Sequence, residues 1–162
     1  MITSDKSYSY SVLLVSVVLA GIFFYAGIDK IRDPLQFADN VAGLAILPAV
    51  LINLLALGLP LLEVASGLLL LGPRTRRIGA LAVAAISVMF FVALASALLR
   101  GLTLDCGCFG PGAPSRSRMW LELVLDAALF SGALFVYLRS ISSLSAQVLS
   151  SSLSAQPQIK YE

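Results

Sequence analysis

Cys106 and Cys108 stand one residue apart in the stretch DCGCFG, and the chain has no other cysteine and no histidine. The absence of histidine removes haem axial histidines, histidine triads, histidine proton relays and His-containing zinc sites. Any chemistry therefore falls to cysteine, carboxylate, lysine, arginine or tyrosine, or to a bound cofactor. Gly107 permits the sharp bend that a Cys-x-Cys pair needs in order to close on itself. Such a disulfide closes a very small ring, departs from relaxed geometry and is readily reduced. Structural disulfides gain most by closing long loops, and this one closes almost nothing. The spacing thus points to electron exchange. Two other readings stay open: two thiolates suit a soft metal such as Cu(I) or Zn(II), and two small loop cysteines can be inert. A closed zinc site wants four ligands, and no further Cys or His supplies them. Asp105 opposes a thiolate at Cys106, whereas Arg100, Arg116 and Arg118 in the same loop favour one. Gly110, Pro111, Gly112 and Pro114 keep the segment out of a helix.

Further candidates are ionisable residues in apolar surroundings. Glu63 lies inside the stretch PAVLINLLALGLPLLEVASGLLLL, just past Pro60. A carboxylate in hydrocarbon is costly, which makes it a candidate functional group; the plainer reading is that it neutralises or pairs with Lys30 or Arg100. Asp126 follows Glu122 by four residues on one helical face and is expected to point into the bundle, with Glu122 at the interface. Lys30 and Arg32 end an apolar stretch in GIDKIRDP. Snorkelling to the interface accounts for both. A cation there is also placed to stabilise a thiolate or a quinone oxygen.

Of the 162 residues, 59% are hydrophobic and 12% charged. A soluble domain carries roughly a quarter charged residues, so the solvent for most of this chain is lipid. The net charge of +2 and scattered basic residues give no nucleic-acid surface. A spanning helix needs about 20 apolar residues. Four segments qualify, at 11–28, 48–71, 78–99 and 119–138, and predict an all-α membrane protein, a four-transmembrane-helix bundle. Pro60 interrupts the second and is expected to kink it. The first reads as an uncleaved helix, because its polar start is weakly charged and no small-x-small site closes it. The third is rich in alanine at helix-approach spacing, as at Ala80 and Ala84 or Ala93 and Ala97, and is assigned packing alone. Residues 1–10 form a short polar segment and 11–138 the membrane domain. Beyond Arg139 the sequence turns Ser-rich, with SSLSAQ at 142–147 and again at 151–156, and residues 139–162 are expected to be a mobile tail.

Four spans put both termini on one side. Lysines and arginines divide six against five between the two sides, with the compact PRTRR turn on the terminal side. Short, dense basic loops weigh most, so both termini and Arg74–Arg77 are expected in the cytoplasm and the CGC loop outside it.

The strings FFYAGIDKIRDPLQFADNV, LPLLEVASGLLLLGPRTRRIG and LRGLTLDCGCFG, in this order and spacing, resemble the DoxX-like membrane proteins. Within them they are similar to the branch of the methylamine-utilisation protein MauE, over roughly residues 11–138. The resemblance implies a four-helix bundle in the plasma membrane of a prokaryote. It also implies a place near extracytoplasmic disulfide chemistry, since the branch is associated with maturation of a disulfide-rich enzyme subunit in methylamine metabolism, and the DoxX name with quinone-coupled oxidation. The bundle is also similar to the quinone-linked disulfide enzymes of the vitamin K epoxide reductase type. Those use a Cys-x-x-Cys motif and often a second loop pair, neither of which is present here. Cys106 and Cys108 take the candidate redox-pair role, and Lys30 and Glu63 fall on family-like motifs as further candidates.

The expected function is thiol–disulfide exchange, or disulfide-dependent maturation of a partner, through Cys106 and Cys108. The partner would be a thioredoxin-like or secreted cysteine-containing protein, with a membrane quinone as the possible cofactor and no resident metal. The alternatives are a non-enzymatic membrane assembly factor and a small transporter or soft-metal handler using Glu63 and Asp126.

Overall fold

The computed structural model describes residues 3–103 and 115–154. Cys106 and Cys108 lie outside the described residues, as does Asp105. The described chain is all helix: α1 Thr3–Arg32, α2 Pro34–Gly43, α3 Ala49–Leu71, α4 Arg76–Leu99 and α5 Arg116–Ser154. Four of these contain stretches long and apolar enough to cross a membrane, Tyr10–Arg32, Ala49–Leu71, Arg76–Leu99 and Arg116–Ser142. The four-span bundle read from composition is therefore the fold.

The arrangement of side chains suits lipid. Leu14, Leu54, Leu57, Leu61, Val92 and Val124 face outward, while Ala20, Ala80, Ala97 and Ala133 are fully buried. Small residues at helix contacts let backbones approach closely, which is the main source of packing attraction when the solvent is itself apolar. Gly27 is the tightest of these contacts between α1 and α3: a Cβ there would stand 2.8 Å from Val64 Cγ2 and 2.9 Å from the Pro60 carbonyl oxygen. α4 packs most extensively on α5 and α1 on α3, with α3 joined to α4; α1 and α5 meet along a looser seam. α3 runs unbroken through Pro60. Pro60 has no N–H to give the Ala56 carbonyl, so one rung of the helix ladder is missing one turn before Glu63.

Several boundaries differ from those expected. α1 begins at Thr3, inside the segment read as a polar lead-in. α5 continues to Ser154, so the helix runs past the boundary expected at Arg139. The physical reason is plain in the sequence: between Gly132 and Pro157 there is no glycine or proline to stop the helix. α2 was not anticipated. Asp33 caps it by accepting a hydrogen bond from the Gln36 N–H at 3.0 Å, and Pro34 occupies its first turn. Phe37 and Val41 are its buried face, turned to the core shared with α3.

Two connections meet at one end of the bundle. Leu44, just after α2, and Leu102, just after α4, both pack against the cluster that holds Leu98 and Met119. α4 stops there in a glycine cap, with Gly101 at φ 73°. The Leu102 N–H reaches back to the Ala97 carbonyl and the Gly101 N–H to the Leu98 carbonyl, each at 3.0 Å. The turn from α1 into α3 and the flanks of the CGC loop thus occupy the same face. At the opposite end, Thr75 Oγ1 donates to the Leu69 carbonyl at 2.9 Å and Arg76 Nε to the Leu70 carbonyl at 3.2 Å. Arg77 donates to the Ser140 carbonyl, which ties the α3–α4 turn to α5.

Candidate functional site

Lys30 and Glu63 form the centre of the site. The Lys30 ammonium donates to both carboxylate oxygens of Glu63 at 3.0 Å each, and both residues are only 2% exposed. A third hydrogen bond goes to the Ala26 carbonyl at 3.4 Å, one turn back on α1. The ammonium also faces two aromatic rings, at 5.5 Å from the centroid of Phe37 and 5.3 Å from that of Phe90. Lys30 is therefore held by α1, α2, α3 and α4 at once. The snorkelling explanation fails for it, because its head turns inward to Glu63; Arg32, two residues on, is exposed and fits that explanation.

The backbone explains why the pair meets. Gly27 brings α1 against residues 60–64 of α3, and Lys30 follows Gly27 by three residues, on the same face. The two motifs GIDKIRDP and PLLEVASG are thus two sides of one helix contact. Gly67 extends it, for a Cβ there would lie 3.3 Å from the Ala20 carbonyl oxygen.

Asp126 joins the site from α5. It lines the same small cavity as Lys30 and Glu63, together with Ser87 and Phe90 of α4 and Ile22 and Leu129 on the sides. The cavity holds about 20 Å³, room for a single water. The third span therefore contributes more than packing, since Ser87 and Phe90 both face the polar centre. Glu122, expected at the interface, is buried as well, and its Oε1 lies 3.9 Å from Arg118 Nε. Among the described residues no group of three or more metal-binding side chains is found. Two apolar grooves flank the centre. One of about 350 Å³ follows the α1–α5 seam along Leu14, Val18 and Leu125 and shares Ile22 and Leu129 with the cavity. The other, about 440 Å³, lies between α4 and α5 near the loop end, with Trp120, Leu98 and Leu123 as walls and Arg116 at its rim.

The arrangement is a buried ion pair, boxed by two rings and backed by a second carboxyl and a hydroxyl, inside a lipid-facing bundle. The family model described as methylamine utilisation protein MauE matches residues 8–139, a range that covers every one of these side chains. The chain belongs to the MauE family. Over 133 residues it is 34% identical to the methylamine utilization protein MauE of Methylophilus methylotrophus, a match that covers 82% of this chain and 67% of that one. It is 33% identical over 121 residues to the MauE of Paracoccus denitrificans, covering 74% of this chain and 64% of the relative. The chain thus spans about two-thirds of the length of these curated relatives. No solved structure matches it. The MauE relationship and the four apolar helices agree on a multi-pass membrane protein.

Among the predicted site residues, Lys30, Glu63 and Asp126 come together. Ser87, Phe37 and Phe90 were missed. A single serine or phenylalanine in an apolar helix carries no signal of its own, although Ser87 has one in retrospect: it is the polar residue on the inner stripe that holds Val83 and Ile86.

Proposed function

We propose that this protein serves extracytoplasmic thiol–disulfide exchange in a prokaryotic plasma membrane, maturing a cysteine-containing partner through Cys106 and Cys108. Both termini are cytoplasmic in this reading, and the CGC loop faces outward. The names of the relatives support methylamine utilisation as its setting. The observation that carries the reading is a lone Cys-Gly-Cys pair, a spacing whose disulfide would close a small, strained ring, in a chain with no histidine and no other thiol. Supporting it, the described flanks of that loop share a bundle end with the turn that follows Lys30.

Written in the direction that oxidises the partner, a partner thiolate attacks the Cys106–Cys108 disulfide and forms a mixed disulfide. A second partner thiolate displaces it. The partner gains one disulfide, and the pair is left as two thiols carrying the two electrons. A further turnover needs a two-electron acceptor, by class a membrane quinone, which takes up two electrons and two protons to become a quinol. The core cavity is too small for a quinone ring. The α4–α5 groove at the loop end has the size and the apolar walls, and Arg116 at its rim would donate to a ring oxygen.

The test is replacement of each cysteine by serine, with the thiol state of extracytoplasmic proteins read by differential alkylation and mass spectrometry. Loss of a partner disulfide in both single variants is expected. An unchanged disulfide inventory in both would overturn the redox reading and leave a non-enzymatic assembly factor.

A further inference from the structure

Serines inside this bundle follow a pattern, and one of them breaks it. Ser16 donates to the Val12 carbonyl at 2.7 Å and Ser66 to the Leu62 carbonyl at 2.6 Å, each closing on its own helix four residues back. Ser87 is 1% exposed, and its hydroxyl finds no hydrogen-bond partner among the described residues. A buried hydroxyl left unmade costs about 1–3 kcal/mol. This one lines the cavity shared with Asp126. The cavity has room for one water, and a polar wall is the condition for a water to stay.

Asp126 is 5% exposed, and its carboxyl makes no hydrogen bond or ion pair to the described residues. Each element packed around it contributes a defined group. α1 brings Lys30, whose ammonium donates to both oxygens of Glu63 and to the Ala26 carbonyl. α3 brings Glu63 itself. α4 brings Ser87, which does not titrate. α5 brings Glu122, four residues before, and then Arg118 four residues before that. The side chains at 118, 122 and 126 share one face, about 6 Å apart along the axis. They lead from the half-exposed Arg118 near the loop end into the core.

We infer that Asp126 is an exchangeable proton site in the core of the bundle, hydrated by one water held on Ser87 and reached from the loop end past Glu122. One cation faces two carboxyls here, and an unpaired carboxylate in hydrocarbon is among the most costly groups a membrane protein can hold. A proton on Asp126 makes the trio of Lys30, Glu63 and Asp126 neutral and turns the aspartyl group into a donor that the water can accept. The step is uptake of one proton by one carboxylate oxygen and its later release, with no change of oxidation state. The inference stands apart from the cysteine chemistry and does not need it.

Infrared spectroscopy of the full chain in lipid bilayers tests it. A carbonyl band of a protonated carboxylic acid is expected at neutral pH, shifting in heavy water as the proton exchanges. The band should vanish in Asp126→Asn and move in Ser87→Ala, which removes the water's anchor without touching a charge. In Glu122→Gln the band should remain while its exchange slows several-fold. Absence of the band in the native protein, or its survival in Asp126→Asn with loss in Glu63→Gln, would overturn the assignment. A band indifferent to Ser87→Ala would refute the bound water, and unchanged exchange in Glu122→Gln would refute the route. Cys106→Ser should leave all of these signals as they are, so failure of the exchange chemistry and failure of this site are read separately.

Discussion

Lys30→Met is the most informative single change in the core. The native ammonium makes two 3.0 Å hydrogen bonds to Glu63 and sits over two rings. Methionine keeps most of the stem and its packing but removes the charge, so Glu63 is left buried without its cation. Breaking a buried pair in this way costs about 3–5 kcal/mol. The lower end is the better guide in a bilayer, because the unfolded helices also find partners for their polar groups. Three kcal/mol corresponds to roughly a hundredfold or more in the folded-to-unfolded ratio. Glu63→Leu alone leaves the opposite charge stranded and should cost a similar amount. The double variant strands neither, and apolar replacement of a whole buried pair is often neutral. With each single change costing about 3 kcal/mol and the double change near zero, a double-mutant cycle in mixed micelles should return a coupling of about 6 kcal/mol between the two residues. Arg32→Met, exposed and two residues away, serves as the control and should stay within about 0.5 kcal/mol of native. A Lys30→Met protein as stable as the native one, or a coupling near zero, would refute the view that this pair holds α1 to α3.

Gly27→Ala places a methyl against the Pro60 carbonyl oxygen and Val64, and thermal unfolding should show a loss of about 1–3 kcal/mol from overpacking. Gly132→Ala meets nothing closer than 3.5 Å and should be neutral or stabilising by up to about 1 kcal/mol through helix propensity; a loss equal to that of Gly27→Ala would contradict the contact geometry. Asp33→Ala removes the cap of α2, which should cost about 1 kcal/mol and appear as faster hydrogen exchange confined to Pro34–Gly43. Uniform protection across that segment would mean that the cap contributes nothing to α2.

Much of this architecture is legible in the sequence because lipid imposes a simple length rule. The apolar cores of the four spans stand where hydropathy places them, and Pro60 is correctly inside the second. Glu63 and Asp126 announce themselves, since charge amid leucine has few explanations. The choice of partner for Glu63 is not legible: Lys30 and Arg100 were both available, and Gly27, which decides between them, matters only once α1 and α3 are seen to touch. α2 had a signal in Asp33-Pro34, a cap followed by a helix-starting proline, but a ten-residue amphipathic piece is easily read as a connection. The end of α5 was obscured by composition. Serine is a modest helix former, and a Ser-rich stretch without glycine or proline can continue a helix already under way. Ser87 was invisible for a different reason. Its interest lies in a hydrogen bond it does not make, and only the positions of its neighbours reveal that.

The most direct test of the central claim is thiol trapping on intact spheroplasts with a membrane-impermeant alkylating reagent, applied before and after reduction. The account predicts that Cys106 and Cys108 stay unlabelled until a reductant is added, and that both are then labelled from outside. Labelling without reduction would show free external thiols in place of a disulfide. Labelling only after the membrane is broken would put the loop on the wrong side. Either result contradicts an outward-facing exchange pair.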